Sequence, residues 1–104
     1  MPKFLVTYHG GSGMPASEEG RQQAIAAFGG WAAAAGKALV DPGAPLGEAK
    51  TVSADSVTDG AAQGPPNGYS VLDAADLDSA VDLVRGHPFV ARGGSLQVSQ
   101  AVTP

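Results

Sequence analysis

The chain has 104 residues, a formal net charge of −4 and no cysteine, a length that suits one domain over residues 1–104 with a single core. With 43% hydrophobic and 15% charged residues it has the balance of a globular domain, and its acidic character excludes the clustered Lys and Arg that tracking phosphates would require, so no nucleic-acid partner is expected. Without cysteine there is no disulfide or thiolate site, and no apolar run is long enough for a bilayer. The expectation is an unprocessed cytoplasmic protein with no membrane partner.

"KFLVTYH", residues 3–9, is β-branched and aromatic. Phe4, Val6 and Tyr8 fall on one side and Leu5, Thr7 and His9 on the other, and apolar groups on both sides predict a central strand buried on both faces or nearly so. Pro15 and Ser17 are helix start signals, Glu18 and Glu19 suit the positive end of the helix dipole, and Gly36-Lys37 marks the end, which predicts a helix over 17–35. Ala24, Phe28, Trp31 and Ala35, with Ile25 and Ala32 alongside, form its apolar stripe. Gly29 and Gly30 inside it predict a bend or a close backbone approach.

"KALVDPG" reads as a short strand stopped by an Asp41-Pro42-Gly43 turn. The segment 44–67 is too long for a bare loop in so small a domain, and the alternation in "KTVSADSVTDG" predicts an excursion with some strand pairing. "GYSVLDA", 68–74, is the next strand. "DLDSAVDLVRG" is the clearest helix, with Asp76 as N-cap, Leu77, Ala80, Val81 and Val84 as its buried stripe and Gly86 at its end. "SLQVSQAV", 95–102, alternates strictly and closes the chain as a strand.

The order β-α-β, excursion, β-α-β predicts an α+β fold: a ferredoxin-like β-α-β-β-α-β sandwich with an antiparallel sheet and both helices on one face. Aromatic residues make up only 6% of the chain, so a lone core would be modest. A second copy is the expected source of further burial.

The stretch 68–102, with its "aDLDsAV" helix start, its Gly-x-Pro after the helix and "GGSLQV" leading the last strand, resembles the C-terminal half of YCII-related and DGPF-domain proteins. "KFLVTYHGG" and "GKALVDPG" are similar to the first strand and the turn after the first helix of that group. Asp41 matches the Asp of that turn, and Asp59-Gly60 the first half of "DGPF". The resemblance implies a dimeric α+β barrel, a homodimer whose open sheet faces meet around a cavity for a small organic ligand.

Candidate sites follow from residue type and placement. Gly11-Ser12-Gly13-Met14-Pro15-Ala16 follows the G-x-G-x-x-A pattern of a dinucleotide turn, with Asp41 where a ribose-binding acid would lie. Pro15 removes an N–H that should face pyrophosphate, so a plain turn is preferred and nucleotide binding at Gly11–Ala16 is the remote alternative. His9 and Asp41 end two strands that run the same way with one strand between them. They form the candidate catalytic pair, His9 as base and Asp41 orienting it, against the alternative of a backbone-bonded histidine and a turn-starting aspartate. His87, past a helix end, is read as capping the last carbonyls. Two histidines without further ligands predict no metal, and no cofactor is expected. Tyr8, Ser70, His87, Gln97 and Ser99 are the candidate cavity lining. Phe28 and Trp31 are assigned to the core, and Arg85 and Arg92 to the solvated surface. Acid–base catalysis on a small molecule and a non-enzymatic dimerisation or protein-interaction module are both compatible with the sequence.

Overall fold

The computed structural model describes residues 1–10, 16–60 and 66–102. The chain runs β1 (Lys3–Gly10), α1 (Glu18–Ala35), a 3-10 turn, β2 (Leu39–Pro45), β3 (Lys50–Val52), β4 (Val57–Asp59), β5 (Gly68–Asp73), α2 (Leu77–Val84), the single turn α3 (Pro88–Ala91) and β6 (Gly94–Gln100). It is an α+β fold. Four strands form one antiparallel sheet in the order β2-β5-β1-β6, and β3 and β4 form a separate hairpin. The extents of 45 × 41 × 19 Å match two layers, one of sheet and one of helices. No helix among the described residues is long and apolar enough to cross a membrane.

α1 starts where Ser17 Oγ accepts the N–H of Gly20 at 3.0 Å, with Glu18 and Glu19 in the first turn. It ends at Gly36, whose φ of +58° is a conformation that a side chain disfavours. Between these caps the helix is continuous. Among the described residues nothing lies close to where a Cβ of Gly29 or Gly30 would stand, so no backbone approach there explains them. Trp31 is the buried residue of α1, whereas Ile25, expected beside the stripe, is largely exposed. α2 is capped by Asp76, whose Oδ1 accepts the Ser79 N–H at 2.8 Å. Of its expected stripe, Ala80 and Val84 are buried, but Leu77, the first residue of the helix, is 45% exposed.

The core gathers Phe4 and Val6 of β1, Leu72 of β5, Trp31 of α1 and Ala80 and Val84 of α2. Both helices therefore cover the same face of the sheet, and the Trp31 indole N–H donates to the Leu83 carbonyl at 2.8 Å to join them. On the opposite face β1 turns out Leu5, which pairs Val71 on one side and Ser99 on the other and is 43% exposed.

Three elements differ from the sequence-based expectation. Asp41-Pro42-Gly43 does not stop β2, which continues to Pro45. The ladder with β5 slips between Leu39 and Asp41 and again between Asp41 and Ala44. A proline cannot donate to a ladder, so this edge strand carries Pro42 in an irregularity rather than a turn. The second difference is α3, which the turn-like "GHPF" conceals. β6 also ends at Gln100, leaving Val102 exposed. The excursion contains the expected hairpin, while the Gly11–Ala16 turn lies, except for Ala16, outside the described residues, as does the 61–65 part of the excursion.

Candidate functional site

At one end of the sheet, on the helix-covered face, α1, the irregular part of β2, the start of β5 and α3 enclose a cavity of about 300 Å³. Its walls are mostly apolar. Phe28 comes from α1, Pro42 and Gly43 from β2, Gly68 from β5, and His87 and Phe89 from the α3 turn. That volume falls at the small end of the range of ligand sites. Asn67 closes the strand ends beside it: its backbone N–H donates to Tyr8 O at 2.6 Å, its side-chain amide donates to Gly10 O at 2.8 Å, and its carbonyl accepts from Leu46 N at 2.9 Å.

His87 is the centre of the wall. It is 3% exposed, and its ring lies 4.4 Å from that of Trp31, 5.0 Å from Tyr8 and 5.6 Å from Phe28. Its role differs from the expected C-cap. His87 Nδ1 accepts the Phe89 backbone N–H at 3.0 Å, so the ring caps the start of α3 rather than the end of α2. That bond fixes the tautomer, because an accepting Nδ1 leaves the proton on Nε2.

The remaining bonds then run in one direction. His87 Nε2–H donates to Tyr8 Oη at 3.2 Å, the Tyr8 hydroxyl donates to Ser70 Oγ at 2.5 Å, and the Ser70 hydroxyl donates to the Pro42 carbonyl at 2.8 Å. The β2 irregularity frees that carbonyl to receive Ser70. Burial pushes the Tyr8 phenol above its ordinary value, against the opposing effect of the Ser70 hydrogen bond. Burial, with the nearby Arg92 charge, pulls His87 down to about 4. Both groups are neutral at pH 7, as the chain of bonds requires.

Tyr8, Ser70 and His87 are thus brought together. Gln97 and Ser99 are not with them: their β1 partners are Thr7 and Leu5, on the open face, and the nearest polar contact is their own at 3.4 Å. His9 and Asp41 are also apart. His9 Nε2 bonds Thr7 Oγ1 at 2.7 Å, and Asp41 Oδ1 accepts the Gly43 N–H at 2.8 Å. Asp41 is level with Val71 and Leu5, four residues back from His9 along β1, or about 13 Å at the usual strand rise. No group of three or more His, Cys, Asp or Glu side chains that could hold a metal ion occurs among the described residues.

Sequence reasoning missed three contributors. Phe89 stacks on Tyr8 at 5.5 Å. Gly94 seats the Phe89 ring, which occupies the space a Cβ would need. Arg92 is not a solvated surface residue: it lines the cavity, with its guanidinium carbon 5.7 Å from the centre of the Phe89 ring. The Gly-His-Pro-Phe run was the available signal, since a proline after a potential cap is a common first helical residue. Comparison of the chain with protein-family models, curated proteins and solved structures finds no match.

Proposed function

We propose that this protein binds a small, flat organic molecule in the cavity beside His87. The observation that carries the reading is a mostly apolar cavity with a polar seam along one wall, His87–Tyr8–Ser70–Pro42, that is internally satisfied. Each hydrogen along the seam already has an acceptor. The seam therefore supports a rigid, preformed wall, the usual character of a ligand site, and favours binding over acid–base turnover.

The same reading makes the chain a ferredoxin-like, YCII/DGPF-type domain that pairs with a second copy. The strand order β2-β5-β1-β6 with helices on one face supports the ferredoxin-like assignment, and Leu5 with its half-buried neighbour Val71 on the open face supports the pairing. The ligand cavity is formed by one chain on the opposite, helix-covered side. Binding is accordingly independent of dimerisation.

The test is a titration with 2-naphthamide, a neutral bicyclic aromatic, followed through backbone amide NMR shifts. The expected shifts map to Phe28, Gly43, Gly68 and Phe89. Ala24→Phe, which places a ring in the cavity from α1, is expected to weaken binding at least tenfold, a loss typical of blocked apolar contacts. Shifts confined to the open face, or unchanged affinity in Ala24→Phe, would remove the proposal.

A further inference from the structure

Arg92 is the one ionised side chain among the cavity-lining residues, and no Asp or Glu is among them. It takes part in none of the ion pairs of the described residues: Lys3 pairs Asp73, Lys50 pairs Asp59 and Arg85 pairs Asp82. Its Nε is buried and has no hydrogen-bond partner among those residues. A buried donor without an acceptor is costly, and the acceptor that a guanidinium edge matches best is a carboxylate, which can take two parallel N–H bonds. In a chain of net charge −4, an uncompensated cation set in an apolar wall is a local reversal of sign.

From this placement we propose that the ligand of the cavity is an aromatic carboxylate, its ring held among Phe28, Phe89 and the Pro42-Gly43 backbone and its carboxylate on the Arg92 guanidinium. The inference rests on the cavity's being a ligand site and adds the class of ligand. The Arg92 guanidinium carbon lies 5.7 Å from the centre of the Phe89 ring, which places its charge against the aromatic wall where the ligand ring would sit. The charge of Arg92, which already helps to hold His87 neutral, is thereby met by the ligand instead of by the protein.

The experiment compares 2-naphthoate with 2-naphthamide, which share a ring system and differ in charge, on the wild-type chain and on Arg92→Met. The naphthoate is expected to bind at least about tenfold more tightly, the ratio that one charge-assisted hydrogen bond supplies, and Arg92→Met should bring the ratio of naphthoate to naphthamide affinity close to one. The Arg92 Hε resonance of the wild type gives a readout that needs no variant: naphthoate should shift it downfield and slow its exchange with water, and naphthamide should not slow that exchange. Equal binding of the two probes to the wild type, an unmoved Hε resonance, or a preference that survives Arg92→Met would each overturn the carboxylate assignment and leave the cavity reading standing. Failure of both probes to bind would overturn the two together.

Discussion

Gly43→Ala is expected to lower the free energy of unfolding by about 4 kcal/mol, a large share of the roughly 5–15 kcal/mol typical of a domain. Gly43 has φ +75°, and a Cβ there would overlap the backbone carbonyl of Tyr69 on the neighbouring strand. The first effect alone costs about 1–2 kcal/mol for a residue with a side chain. The second cannot be relieved by a rotamer change, since the obstructing atom is main chain. β2 would have to move off β5, and the Ser70 bond to the Pro42 carbonyl would go with it, adding about 1–3 kcal/mol as in other overpacked sites. Gly60→Ala separates the two effects. Gly60 has φ +78°, and no atom of the described residues lies within 4 Å of where its Cβ would stand, so the backbone cost of about 1 kcal/mol is expected. Urea midpoints of the two variants provide the check: an equal shift for both would mean that β2 does not approach β5 through Gly43.

The same residues show what the sequence could and could not disclose. Period-two and helical spacing placed β1, α1, β5, α2 and β6, because each turns its better-covered side chains to one face, although β1, read as apolar on both sides, leaves Leu5 43% exposed on the other. Asp41-Pro42-Gly43 has the composition of a turn, and nothing local distinguishes a chain reversal from an edge-strand irregularity. The difference lies in Tyr69 and Ser70, 28 residues from Pro42 in the case of the Ser70 bond. The candidate site was legible in the same measure. Tyr8, Ser70 and His87 were expected, with Gln97 and Ser99, to line a cavity between open sheet faces, whereas the structure joins these three by two hydrogen bonds on the helix-covered face. Their separation from Gln97 and Ser99 follows from a parity that only the register reveals: Tyr8 and Ser70 are on the covered face, and Gln97 and Ser99 across from Thr7 and Leu5 are on the other. Arg92 and Phe89 carried no periodic signal, since α3 spans only four residues, and a residue on so short a turn is placed by its tertiary neighbours.

Acidification should destabilise the fold in a window set by His87. Its folded-state value of about 4 lies below the ordinary 6.5, so between these pH values the unfolded chain binds a proton that the folded chain refuses. Stability from this group is fully present above pH 6.5 and is lost as pH falls toward 4, by up to about 3 kcal/mol for a displacement of this size. The groups around the ring give the physical reason. Trp31 and Phe28 from α1 and Tyr8 from β1 offer no negative charge, and Arg92 adds a positive one. Protonation would also turn Nδ1 from an acceptor into a donor facing the Phe89 N–H, undoing the cap of α3. Asp76, whose carboxyl is held below its ordinary 3.8 by hydrogen bonds from Ser79, keeps its charge through the window and loses it only at more acid pH. His87→Asn isolates the histidine, because asparagine retains an N-cap acceptor without a titrating ring. The variant is expected to be less stable than wild type at pH 7 by about 2 kcal/mol, from the space left among the aromatic rings, and to lose less than about 1 kcal/mol between pH 7 and 4. The two stability curves should therefore converge as the pH falls. Parallel curves from urea denaturation at pH 7, 6, 5 and 4 would place the proton-linked loss elsewhere and would undo the assignment of a neutral, Nε2-protonated His87 on which the direction of the whole seam depends.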